Sequence, residues 1–303
     1  MQTHQPPSQT YEPFAVTASP SRGEPTRAVV LGGGGPVGVG WLIGMVLGLR
    51  DAGVNLDEAD TVVGTSAGSI VGAHLRLDQT RGALEKYAED FVSSEPLSGM
   101  GRIGPREGMA FLRGVLSRDP QRGRQIIGAM AARAQTPSEE SFISMITASL
   151  AGAAWPERAL LLTTVDIATG DAVVLHRDGG ADLQRAMAAS SAVPGMFPPI
   201  TIGGRRYMDG GVRSSANVDV AKGHDRVLVL APSTLSLTRR GNPRVQAKEL
   251  GTRVRSLVIA PDRDARRAIG RNPLDLKNAR PAYEAGLLQA QRSLPRVRQV
   301  WSA

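Results

Sequence analysis

Thr61-Val62-Val63-Gly64-Thr65-Ser66-Ala67-Gly68 is a short buried-strand pattern that runs straight into a corner of small residues. The segment Ala67 to Leu77 that follows has the apolar spacing of a helix. Gly64 and Gly68 bracket Ser66 as Gly-x-Ser-x-Gly, in which small flanking residues let the backbone turn sharply and leave the serine oxygen clear of the strand end. Because Ser66 falls at a helix start, the backbone amides and helix dipole there favour negative charge, which suits an oxyanion formed on attack. Five residues with three fixed positions recur by chance in a glycine-rich chain. The preceding strand and following helix give this occurrence its weight.

Upstream, Arg27 to Leu31 reads as a strand, followed by the glycine run Gly32 to Gly38 and an apolar helix from Val39 to Leu49. Two strand–turn–helix units in succession predict an α/β sheet. A glycine run has amides that approach a ligand unobstructed and point at developing negative charge, as an oxyanion hole requires. Read as Gly33-x-Gly35-x-x-Gly38, the same run satisfies the dinucleotide-binding fingerprint, with Asp57 or Asp60 near the acidic position. That alternative leaves Ser66 without a role, and Thr61 to Gly64 feeds a helix instead of presenting an acid at the strand end.

Downstream, Thr80 to Leu150 reads as a helical insertion, with apolar positions at Leu84, Tyr87, Ala88 and Phe91. Strands resume at Ala159 to Asp166 and Asp171 to His176 around the turn Ala168-Thr169-Gly170. A helix is expected from Leu183 to Ser190, a hairpin over Thr201 to Met208 around Gly203-Gly204, and an apolar strand over Arg226 to Ala231. Asp209 follows the hairpin and precedes Gly210-Gly211. Asp-Gly-Gly alone is a common turn, but a carboxylate on a tight turn at a strand end is able to take a serine proton directly. The usual imidazole base has only His4, His74, His176 and His224 to draw on, and none stands in a suggestive context.

With 303 residues, 41% of them hydrophobic, the chain is long enough for one substantial core. Zero cysteines exclude disulfides, thiolate metal sites and cysteine nucleophiles together. Residues 1–25 carry five prolines among polar residues, with neither a basic start nor an apolar stretch, and read as a disordered tail without a secretory signal. No apolar run reaches the length of a membrane span. The expected unit is therefore one domain over residues 26–303 in the cytoplasm, with an insertion at about 80–150 and a basic, helical region at about 239–303. That last region holds fifteen Lys and Arg against five acids and most of the net charge of +8. It suits either a solvated surface or peripheral contact with an anionic membrane. Charge without a reading motif or stacking aromatics gives no expectation of nucleic acid binding.

Four blocks in this order resemble the patatin-like phospholipase family: the glycine run at 32–38, Gly64 to Gly68, Ala188-Ala189-Ser190-Ser191-Ala192-Val193-Pro194-Gly195-Met196-Phe197-Pro198-Pro199, and Asp209-Gly210-Gly211. The resemblance spans Ala28 to Ala221. It implies a three-layer α/β/α fold with a central, mostly parallel sheet, and a lipid acyl hydrolase that needs no metal or cofactor. It also implies Ser66 as nucleophile, Asp209 as general base, and the amides of Gly33, Gly34 and Gly35 as oxyanion donors. One departure stands out: family members often carry Arg or Lys where this chain has Val37. Two further sets are candidates for the walls of an acyl pocket. One is Phe197 with Pro194, Pro198 and Pro199. The other is a cover built from the insertion by Met100, Met109, Phe111, Leu112, Met130, Phe142, Met145 and Ile146.

Overall fold

The computed structural model describes residues 25–78, 82–93, 104–236 and 238–301. The expected N-terminal tail lies outside these residues except for its last position, as do Thr80 and Met100. The first half runs β1 (Arg27–Leu31), α1 (Gly35–Asp51), β2 (Thr61–Gly64), α2 (Ala67–Leu77), α3 (Ala83–Val92), α4 (Pro105–Val115), α5 (Pro120–Ala131) and α6 (Glu139–Thr147). The second runs β3 (Ala159–Asp166), β4 (Ala172–Leu175), α7 (Leu183–Ser191), β5 (Ile200–Ile202), β6 (Arg205–Asp209), β7 (Arg226–Leu230), α8 (Pro243–Glu249), β8 (Arg255–Ile259), α9 (Arg263–Ile269) and α10 (Ala279–Trp301).

Hydrogen-bonded neighbours in the sheet follow β5-β6-β3-β2-β1-β7-β8, with β4 also on β3. The pairs β1–β2, β1–β7, β2–β3 and β7–β8 are parallel, and those involving β4, β5 and β6 are antiparallel. Alternation along the strands divides the core into two layers. Val29, Leu31, Leu228 and Leu230 pack with α1, α2 and α10, whereas Ala28, Val30, Val227 and Val229 pack with Ala247 and Leu250 at α8. Helices on both faces of a mostly parallel sheet make the three-layer α/β/α arrangement.

The register of β3 positions the site. Leu162 pairs with both Gly64 of β2 and Leu175 of β4, and Thr164 pairs with both Asp209 of β6 and Val173 of β4. A strand has two edges, so β4 occupies one, and β2 and β6 share the other end to end. Parallel β2 and antiparallel β6 therefore finish facing each other, with only Thr163 of β3 between their last partners.

The glycines of α1 set its contact with α10. A Cβ at Gly40 would lie 2.4 Å from Ala279 O, and one at Gly44 2.1 Å from Tyr283 O. The two helices thus meet backbone to backbone, and no larger residue fits. Beyond Thr238, where the sequence reads as helical, the chain also contributes β8. Its first two residues are exposed because it is the edge strand, and an edge strand need not be apolar along its whole length. Among the described residues no helix is long and apolar enough to cross a membrane.

Candidate active site

Ser66 stands at the corner between β2 and α2 with φ 53° and ψ −119°, a left-handed conformation that non-glycine residues rarely adopt and that costs on the order of 1–3 kcal/mol. The surroundings hold it there. Ser66 N–H donates to Ser190 Oγ at 3.1 Å, and Ser69 Oγ donates back to Ser66 O at 2.7 Å. Gly68 is required by close approach, since a Cβ there would sit 1.9 Å from Leu31 O.

Asp209, at the end of β6, lies near enough to the Ser66 side chain for that contact to favour its charged form, and its Oδ1 accepts Gly211 N–H at 2.7 Å. Asp209 is 4% exposed. Burial pushes its pKa up from 3.8 to about 6, against the contacts with Ser66 and Gly211, which favour the charged form. Asp209 N–H donates to Ala192 O at 3.0 Å, tying the strand end to the end of α7.

A buried polar knot fixes the two strand ends to each other. Thr65 Oγ1 and Thr163 Oγ1 share a 2.8 Å hydrogen bond, and Asn217 Nδ2 lies 3.1 Å from each. The same amide reaches Gly210 O at 3.3 Å and Ser214 O at 2.9 Å. Asn217 itself is left-handed at φ 51°, and nothing in the sequence around it signals this role.

The glycine run forms the turn after β1 and the first turn of α1, and it lies against Ser66, since a Cβ at Gly33 would be 3.3 Å from Ser66 Cβ. Its three expected donors are not equivalent. Gly33 N–H is already committed to Ser215 O at 2.7 Å and so is not available to an oxyanion in this arrangement. Gly34 and Gly35 donate to no protein acceptor among the described residues. Gly35 has φ 62°, and a Cβ there would lie 2.6 Å from Pro273 O. Gly38 packs against Pro232 and Ala67. Val37 is wholly buried in the main core, and its N–H donates to Pro273 O at 3.3 Å.

Before Ser66 opens a cavity of about 300 Å³ with largely apolar walls. Ile70, Tyr87, Phe91, Met145, Ile146, Val193 and Phe197 contribute to it, along with Leu274 and Leu276 from the segment leading into α10. Of the expected pocket residues in the insertion, Met145 and Ile146 line it. Phe142 lies behind them, stacked on Phe197 at 4.3 Å, while Phe111 and Met130 belong to a separate cluster and Met109 and Leu112 face outward. The block around Phe197 contributes Val193 and Phe197 to the wall, not its prolines. Leu274 and Leu276 escaped sequence reading because a loop more than 200 residues from Ser66 has no periodicity to mark it.

His74 and His224 are held elsewhere. His74 bonds Ser149 Oγ at 3.0 Å and stacks on Tyr87, with burial lowering its pKa to about 4. His224 lies 3.0 Å from Thr61 Oγ1 at the other end of β2. His176 borders a second cavity beside the starts of β2 and β3, away from Ser66. Asp57 and Asp60 also precede β2, where Asp60 accepts Arg27 N–H at 2.7 Å, so neither is the acid at the strand end that a dinucleotide site needs. No group of three His, Asp or Glu among the described residues is arranged to hold a metal ion.

Among solved structures the chain is similar to VipD from Legionella pneumophila, at 13% identity and a TM-score of 0.44, covering 90% of this chain and 67% of that one. It is also similar to the type III effector protein ExoU, at 18% identity and a TM-score of 0.34, covering 88% of this chain and 53% of that one. A third similarity is to the ExoU-SpcU complex from the type III secretion system of Pseudomonas aeruginosa, at 16% identity and a TM-score of 0.36, covering 92% of this chain and 52% of that one. The chain thus spans about half the length of the ExoU chains. No curated protein matches. A family model described as patatin-like phospholipase matches residues 29–222, more than half of the chain and the region that carries the serine corner, the glycine turn and Asp209. The chain belongs to the patatin-like phospholipase family, and the activity this implies is lipid acyl hydrolysis.

Proposed function

We propose that the chain hydrolyses a fatty-acyl ester through a Ser66–Asp209 dyad. The observation that carries this reading is that Asp209 and the Ser66 side chain come together beside an apolar cavity that Ser66 lines. Asp209 accepts the hydroxyl proton as Ser66 Oγ attacks the acyl carbonyl. The amides of Gly34 and Gly35, at the N-terminus of α1, face the oxyanion that forms. Collapse of the tetrahedral intermediate breaks the ester bond, and the departing alkoxide takes the proton from Asp209. Water then gives a proton to Asp209 and attacks the acyl-enzyme, and the fatty acid leaves as the proton returns to Ser66.

A cavity of about 300 Å³ stands at the low end of small-ligand pockets, roughly 300–1,000 Å³, and suits one acyl chain at a time. That size favours a lysophospholipid or simple carboxylic ester over a site holding two chains. Because Leu274 and Leu276 contribute to the wall, the working unit in this reading extends through α10, beyond the matched region.

The test is hydrolysis of p-nitrophenyl esters of short and long acyl chains by the parent, Ser66→Ala and Asp209→Asn, with fluorophosphonate labelling in parallel. Loss of hydrolysis in both variants and of labelling in Ser66→Ala is expected. Labelling that persists in folded Ser66→Ala would remove Ser66 from the chemistry.

A further inference from the structure

The helix α4 carries its apolar residues on two sides. Ala110 and Phe111 pack inward on Val165, Met208 and Val212, and Gly114 meets Gly123 of α5 so closely that a Cβ would lie 2.8 Å from Gly123 O. The inner face is therefore already satisfied. Met109, Leu112 and Leu116 nevertheless point outward, at 61%, 54% and 72% exposure. Their spacing of three and four residues aligns them in one stripe along the helix. Arg106 and Arg113, seven residues apart and both exposed, flank that stripe on one side, and neither has an ion-pair partner among the described residues. Glu107 is set on the inner side of the helix, so the exposed face carries no carboxylate.

The geometry points to this face of α4 as the surface with which the protein docks on an anionic lipid bilayer. An outward apolar stripe edged by arginines is what a helix lying in a lipid headgroup layer presents. A neutral protein partner would match the stripe but leave the arginines unanswered, whereas acidic headgroups match both. The position also fits. Met208, on which α4 packs, adjoins Asp209 at the end of β6, so the helix lies near the dyad's end of the sheet, against its opposite face. Docking through α4 brings that end of the molecule to the lipid surface. The inference rests on the lipid-hydrolase reading for its purpose but not for its physics.

The experiment uses the full chain carrying Ser66→Ala, so that binding is read without turnover. It is sedimented with vesicles of phosphatidylcholine alone or of an equal mixture with phosphatidylglycerol. Binding to the mixed vesicles is expected, weakened by salt and weaker on phosphatidylcholine alone. Arg106→Gln and Arg113→Gln are each expected to weaken it roughly fivefold, and the combined Met109→Gln, Leu112→Gln, Leu116→Gln variant to abolish it. With Ser66 restored, the same α4 variants are expected to hydrolyse soluble p-nitrophenyl butyrate like the parent, which reports that they are folded. A parent that does not bind, or a triple variant that binds like the parent, overturns the inference. So does a dimer in sedimentation velocity that the triple variant dissolves, since the stripe would then be covered by a second copy. Failure of the parent to cleave any ester while the α4 variants still lose binding would sink the proposed activity and leave the docking surface standing.

Discussion

Asp209→Asn is expected to abolish ester hydrolysis while making the fold more stable at neutral pH. The parent carboxyl is buried, and desolvation holds its pKa at about 6 instead of 3.8. Between those values the folded chain binds more protons than the unfolded one, so its stability falls as pH rises across this window. The cost is absent below about pH 4, where both states are protonated, and present in full above about pH 6. At 1.36 kcal/mol per pKa unit it amounts to about 3 kcal/mol. Asparagine carries no charge to desolvate, and its side-chain oxygen still accepts Gly211 N–H. Urea unfolding of both proteins, followed by tryptophan fluorescence at a series of pH values, isolates the term, because every other titrating group cancels in the difference. The variant should match the parent near pH 4 and exceed it by about 3 kcal/mol near pH 8. A difference that stays flat over that range, or a variant weaker than the parent near pH 8, would refute the claim that Asp209 is a strained buried base.

Three further outcomes follow from the site. In the parent, kcat/KM for a soluble ester should rise with pH through about 6 as Asp209 ionises, and His176→Gln should leave that profile in place, as read by initial rates. Gly68→Ala should destabilise by about 3 kcal/mol in urea, the upper end for overpacking, because its Cβ meets the backbone oxygen of Leu31 at 1.9 Å. Leu274→Trp, which fills the cavity from the segment before α10, should suppress hydrolysis of long-chain esters and spare short ones, seen as a change in the ratio of their kcat/KM values.

The strands β1 and β2 were legible because each is buried on both faces and followed by glycine, and α2 fell where its residues placed it, while α1 starts at Gly35, inside the glycine run. Ser66 was legible for the same reason, since a glycine on each side of a serine at a strand end has a mechanical meaning. Asp209 was not legible alone, because a turn uses Asp-Gly-Gly whatever its neighbours do, and only pairing across β3 brings it to Ser66. The strand β8 was hidden by its arginine-rich setting and half-exposed edge position. Ser190 and Ala192 entered through family resemblance, and the structure supplies their contacts: a hydroxyl that takes Ser66 N–H and a carbonyl that takes Asp209 N–H. Thr163 and Asn217 gave no signal, because a buried amide that gathers four oxygens is a property of assembled loops.

The end-to-end seating of β2 and β6 along one edge of β3 separates what evolution is free to change from what it is not. The gap between serine and aspartate is counted out by consecutive residues of a single strand, so adding or deleting one residue there would flip side chains across the sheet and dismantle the pair. Much of the cavity wall comes instead from α3, α6 and the stretch before α10, which are inserted between or appended after the strands that do the counting. Selectivity is thus replaceable in modules around a chemical centre whose spacing is inherited from β-sheet register.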